Sequence, residues 1–172
     1  VVGDAVADAL TPPRLHRRQR RRCIRYSYLT VFPCGPTQPN AANINYVGGD
    51  VAANAVLAKI GDNGKICVFT LAETDLIIDV NGYTAAGADI QSVAPGRVYE
   101  SRRGNPAYVT VDEQSQGGGR TPARRITEIR VTGRANVPTN AEAVFLNVVL
   151  ITIRRCRPIN RSRSSSTPPH PH

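Results

Sequence analysis

A chain of 172 residues with 41 % hydrophobic residues, 14 Gly and 13 Pro has room for one core of ordinary size. This composition suits a loop-rich β protein better than a helical one, and the absence of any run of 18 apolar residues excludes an encoded membrane helix. The net charge of +9 suggests a nucleic-acid partner only until it is divided: residues 1–25 carry +5, residues 154–172 carry +5, and the patterned middle carries −1. A nucleic-acid-binding fold usually spreads cations over a face of the fold itself, and this middle offers no such face.

In chain order, residues 1–25 form a poorly structured basic segment that contains RLHRRQRRRCIR, with seven arginines in twelve positions. It lacks interleaved aromatics for base stacking, so nucleic-acid binding through the basic ends is a distant reading. No Met and no n-region followed by an h-region occur, so the chain reads as a fragment or processed piece, and any export signal is expected to have lain upstream. The repeat core spans 26–83. YLTVF (28–32) alternates and is rich in β formers, PCGPTQPN forbids regular structure, and ANINYV supplies a short strand. VAANAVLAKI shows no clean alternation. It reads as a strand because Gly48-Gly49 and GDNG (61–64) bracket it, the latter as a hairpin-like reversal. KICVFTL and DLIIDVNGY follow as strands. From 84 to 106 the pattern weakens into a connector crossing the domain. Residues 107–153 complete the sandwich through AYVTVDE, RITEIRV and a strong strand at 143–151, and 154–172 forms a disordered tail. Short strands separated by Gly, Pro and Asn turns predict an all-β antiparallel sandwich.

The chemistry-bearing residues are few. Cys34 and Cys67 sit in β sequence 33 residues apart; a disulfide in an exported protein is the preferred reading, with buried free thiols as the alternative. Zinc-type C-x-x-C spacing is absent, and His16, His170 and His172 all lie in the basic ends. Asp75 and Asp79, four apart on a strand, would share a face about 13 Å apart, beyond the roughly 5–9 Å of a glycosidase pair. Asp79 with Asn81 is a weak Ca²⁺ candidate, without the ligand order of an EF-hand. No nucleophile elbow, H-E-x-x-H or P-loop occurs. The expectation is a non-enzyme without a cofactor. Six tyrosines and no Trp leave room for a sugar-binding surface, with Asn45 beside Tyr46 as the polar–aromatic pair to examine.

The stretch YLTVFPCGPTQPNAANINYVGGDVAANAVLAKIGDNGKICVFTLAETDLIIDVNGY resembles a tandem-repeat all-β domain of large exported actinomycete proteins. APGRVYESRRG is similar to that family's P-x-R-L-L-D-T-R-x-G connector, and VTGRANVPTNAEAVFLNV to the segment that opens its domain, so the resemblance covers about residues 28–150. It implies an extracellular or cell-surface structural or adhesive module, beside neighbouring repeats and cell-wall or surface glycans, with carbohydrate binding as the alternative. By the resemblance, Cys34 and Cys67 are the family's cysteine pair. Asn43, Asn45 and Tyr46 match its SNLNY-like strand and mark a candidate ligand surface. Asp75, Asp79, Asn81, Gly82 and Tyr83 match the closing strand, and Arg97 the connector arginine, while Asn147 falls in the L-N-V of the opening segment. Gly82, Tyr83, Arg97 and Asn147 are expected to be structural. Tyr99, Glu100 and Ser101 replace Leu-Asp-Thr.

Departures from the family pattern fall twice at the same place in the repeat, after DAL near the start and after Ile153, and both are rich in Arg, Pro, Ser and His. GC-rich coding DNA read out of frame gives this bias, so frame errors are expected to have replaced a native strand twice. The expected consequence is a domain closed by the 143–151 strand from the other end of the repeat, with residues 11–24 contributing little buried area.

Overall fold

The computed structural model describes residues 21–23, 26–85, 87–153 and 156–158. The chain divides into a unit of Cys23–Cys156 and a second of Val1–Arg22 with Arg157–His172. Among the described residues ten strands occur: β1 (Arg21–Cys23), β2 (Ser27–Pro33), β3 (Ile44–Tyr46), β4 (Val51–Lys59), β5 (Lys65–Thr70), β6 (Asp75–Ala85), β7 (Gln91–Glu100), β8 (Arg125–Arg130), β9 (Ala141–Ile151) and β10 (Cys156–Pro158). A first antiparallel sheet has the order β3-β2-β5-β8 and a second the order β4-β9-β6-β7. The all-β, sandwich-like architecture expected from the turn-punctuated sequence is therefore present.

The core lies between the inward rows of the two sheets. Leu29 and Val31 of β2, Ile44 and Tyr46 of β3, Ile66 and Val68 of β5 and Ile129 of β8 meet Val56, Leu76, Ile78, Val80, Val98 and the alternating Val144, Leu146, Val148 and Leu150 of β9. Period-two burial is clearest in β9, the central strand, which pairs with β4 on one side and β6 on the other. Val144 stands opposite both Ala58 and Tyr83, so the 143–151 strand does complete the sheet.

The structure differs from the sequence expectations in four places. Residues 84–106 are not simply a connector: Gln91–Glu100 is a ten-residue strand hairpinned to β6. Its pattern was masked because bulges between Ile78 and Asp79 and between Val80 and Gly82 shift the register, leaving Val98 as its one fully buried apolar side chain. AYVTVDE, by contrast, is irregular. Its Val109 and Val111 stay exposed, and Thr110 turns its hydroxyl to the Gln114 carbonyl at 2.6 Å. GDNG is a 3-10 turn at Asp62–Gly64 that carries the chain from β4 in one sheet to β5 in the other, so it closes no hairpin. Within the ends expected to lack structure, β1 and β10 pair as a separate two-stranded sheet. The remainder of 1–25 and 154–172, including most of the 11–24 segment, lies outside the described residues.

Candidate functional site

The disulfide expected between Cys34 and Cys67 is formed. Phe32 stands opposite Cys67 across β2 and β5, and Phe32, Cys34 and Cys67 make a second small apolar cluster with Phe69 packed against it. The loop after β2 is held at its far end too. Thr30 Oγ1 donates to the Ala41 carbonyl at 2.5 Å, and Asn43 Oδ1 accepts from Val31 N–H at 2.7 Å.

On the same sheet, Tyr28 and Phe69 lie half-buried with ring centroids 5.7 Å apart and planes tilted by 41°. Asn45, exposed, stands opposite Tyr28, and exposed Ile126 stands opposite Phe69. Tyr26, just before β2, is 83 % exposed. The outward face of the first sheet thus joins two aromatic rings to one amide. The three residues of the SNLNY-like strand do not share a surface. Asn43 is engaged by the backbone of β2, Asn45 faces outward, and Tyr46 is only 4 % exposed, its hydroxyl donating to the Ala72 carbonyl at 3.3 Å. Burial pushes the Tyr46 phenol above its ordinary value. Tyr28 and Phe69 were missed by sequence reasoning. The signal was available: neighbours on a strand point to opposite faces, so Asn45 and Tyr46 could not form one surface.

The outer face of the second sheet carries a charged row. Asp79 stands opposite Asn147 of β9 and Arg97 of β7, so the structure brings together three residues that are distant in sequence. Arg97 Nε donates to Asp79 Oδ1 at 2.9 Å, and its Nη1 donates to Glu100 Oε2 at 3.1 Å. Glu100 is fully buried. It also accepts the Arg102 backbone N–H (3.0 Å), Nε (2.9 Å) and Nη2 (2.8 Å), while Arg102 rests 3.8 Å above the Tyr108 ring. Burial pushes the Glu100 carboxyl up, but the hydrogen bonds from Arg102 and the charges of Arg102 and Arg97 outweigh it and hold the group below its ordinary value. Asp75 accepts from Arg120 Nη2 at 3.0 Å and from Ser101 Oγ at 3.2 Å.

Asp79, the carboxylate of the candidate Ca²⁺ pair, is thus bound to Arg97, and half-buried Asn81 sits at the bulge of β6. Among the described residues, no group of three or more His, Cys, Asp or Glu is placed to hold a metal ion. Gly82 permits that bulge, since a Cβ there would lie 2.8 Å from the Gln91 carbonyl oxygen. Tyr83 packs against the core edge. A cleft of about 410 Å³ lies beside Gly96, Val111, Asp112, Arg134 and Ala135. Its one ion pair is closed on itself: Arg134 Nε and Nη2 donate to the two Asp112 oxygens at 2.6 and 2.7 Å. These bonds, outweighing burial, hold the Asp112 carboxyl at about 2.

No helix among the described residues is long and apolar enough to cross a membrane. Compared with family models, curated proteins and solved structures, the chain matches none of them.

Proposed function

We propose that this chain is a non-catalytic module of an exported or cell-surface protein, built to stand beside further copies of its own repeat and to serve a structural or adhesive role. The observation that carries the reading is the Cys34–Cys67 disulfide. Structural disulfides belong to oxidising compartments, where small modules depend on them. The arginine-bound carboxylates agree with it: Asp75, Asp79, Glu100 and Asp112 are each paired within the fold, which suits scaffolding better than acid–base chemistry. Membership of the exported repeat family that residues 28–150 resemble belongs to the same proposal.

Intact cells test it. A membrane-impermeant protease should remove the module, and thiol alkylation at harvest should find Cys34 and Cys67 blocked. A protein that stays protected inside the cell with both cysteines alkylated would be incompatible with the proposal.

A second reading, binding of a sugar ring, is favoured by the half-buried Tyr28–Phe69 pair beside exposed Asn45. Aromatic rings of this kind offer an apolar face to a pyranose while an adjacent amide orients its hydroxyls. A glycan array should show a ligand whose affinity falls at least about tenfold in Tyr28→Ala, the loss of roughly one good contact. No binding at millimolar sugar would sink this reading.

A further inference from the structure

Both sheets of this sandwich are completed by one stretch of chain. Strand β8 adds an edge to the first sheet, and β9 fills the middle of the second, between β4 and β6. Because β8 and β9 lie in different sheets, the arch they make with their connection has no ladder of its own. Its strands bond instead to β4, β5 and β6. Its side chains are committed in the same way: Ile129, Val131, Val144, Leu146, Val148 and Leu150 are fully buried in the common core. Polar contacts add to this. Arg134 holds Asp112, and Thr152 Oγ1 accepts from the N–H groups of Gly49 (2.8 Å) and Asp50 (2.9 Å). The rest of the module thus receives the arch as a site receives a ligand.

The hinge that leads into the arch is short, exposed and strained. The preceding loop ends at Thr121, a buried residue that exchanges two backbone hydrogen bonds with Thr74 (2.9 and 3.2 Å). Only Pro122, Ala123 and Arg124 separate that anchor from β8, and all three are exposed. Pro122 has a fixed φ. Arg124 is driven to a φ of 58°, a left-handed conformation that is costly for a residue with a Cβ. An extended hinge releases that strain and carries the arch away from its own module. Short, strained hinges are the setting in which identical chains exchange elements.

We propose that residues 125–152 are exchanged between two copies of this chain, β9 of each filling the gap between β4 and β6 of the other. The closed chain itself fixes the occupant of that gap. Leu146 stands between Val56 and Val80, and Val148 between Asn54 and Ile78. An identical β9 meets these same partners whichever copy supplies it. The exchange is reciprocal and leaves no gap unfilled, so it closes at two copies. Every core contact is retained, and the balance between closed and exchanged forms therefore rests on the hinge and on concentration.

Refolding of the full chain at micromolar and at millimolar concentration, followed by size-exclusion chromatography, tests the proposal. Dimer should accumulate at the higher concentration. Arg124→Gly removes the strain of the closed hinge and should weaken dimerisation by about a hundredfold, roughly tenfold for each of the two hinges. Arg124→Val, which resists a positive φ more strongly, should strengthen it. A crosslink identifies the exchanged strand. Lys59 and Ala143 stand opposite each other across β4 and β9, next to the bonded pair Ile60–Glu142, at a non-hydrogen-bonded position where a disulfide fits. With Cys23→Ser and Cys156→Ser, the oxidised dimer of Lys59→Cys/Ala143→Cys should stay a covalent dimer in denaturant, and the monomer should hold the bond within one chain. Should the cysteine pair disturb folding, the exposed Arg124 substitutions decide alone. A chain monomeric at every concentration, a dimer whose 59–143 bond stays within one chain, or dimerisation indifferent to both Arg124 substitutions would each overturn the proposal.

Discussion

Glu100 shows how a single side chain holds a region of this fold. Its buried carboxylate collects two guanidinium groups and one backbone N–H, fixing the turn where the chain leaves β7. Glu100→Gln keeps the shape but leaves Arg97 and Arg102 without their anion. It is expected to cost about 2–4 kcal/mol in chemical denaturation, less than a fully buried pair because both arginines keep some surface in water. Protonation acts in the same direction. Glu100 and Asp112 both titrate below their ordinary values in the folded chain, so the stability they supply is complete above the unfolded carboxylate pKa and is lost as pH falls through the folded values. For Asp112 that window runs from its ordinary 3.8 down to about 2, and carboxyl NMR titration with parallel denaturation curves should place the loss there. The role of Glu100 was half-legible: the connector-like motif kept an acid near Arg97, but the partnership with Arg102 and Tyr108 is tertiary. At Tyr46 the strand alternation itself settles which way the ring faces.

At the scale of elements, the strands that alternate cleanly were legible, and those shaped by bulges or by a covering role were not. Strand β9 shows four buried positions, Val144, Leu146, Val148 and Leu150, in strict alternation, and it was legible as a strand from that. Strand β7 has β formers but almost no apolar row of its own, because half of it lies against a bulged neighbour and its outer edge takes hydrogen bonds from a loop. AYVTVDE has a strand's composition and supplies that covering loop, where one backbone bond to Arg97 and the stacking of Tyr108 on Arg102 replace a ladder. The crossover between β4 and β5 depends on Gly61, where a Cβ would collide with the backbone nitrogen and carbonyl oxygen of Cys34. Asp62 N–H donates to that same carbonyl at 2.9 Å, so the two loops are built against each other. Gly61→Ala is expected to destabilise by about 3 kcal/mol, since neither backbone can retreat without breaking the bond, and thermal melting measures it.

For the molecule as a whole, the disulfide ties Cys34, the residue just after β2, to Cys67 of β5, the strand with which β2 already pairs. Its contribution therefore lies mainly in restricting the unfolded chain. Reduction, or Cys34→Ala with Cys67→Ala, is expected to lower unfolding free energy by roughly 3–4 kcal/mol in the chain-entropy account, with the two-sheet core still formed. A larger loss accompanied by collapse of the Phe32 cluster would instead assign the bond a packing role. The division of charge was also legible only at this scale, since the +9 total belongs to the two ends and the sandwich itself balances carboxylates with arginines.

The position of β9 bears on how the chain is made. Its neighbours β4 and β6 are not hydrogen-bonded to each other, and β9 is the strand that joins them, yet it lies some ninety residues after β4 in the chain. During synthesis the first sheet can begin to assemble early, whereas half of the sandwich must wait until about residue 151 has left the ribosome. Closure is then a late event dominated by long-range pairing, which is intrinsically slow. Over that interval the VAANAV segment lacks β9, the strand it pairs with, so the nascent chain presents an unpaired apolar strand.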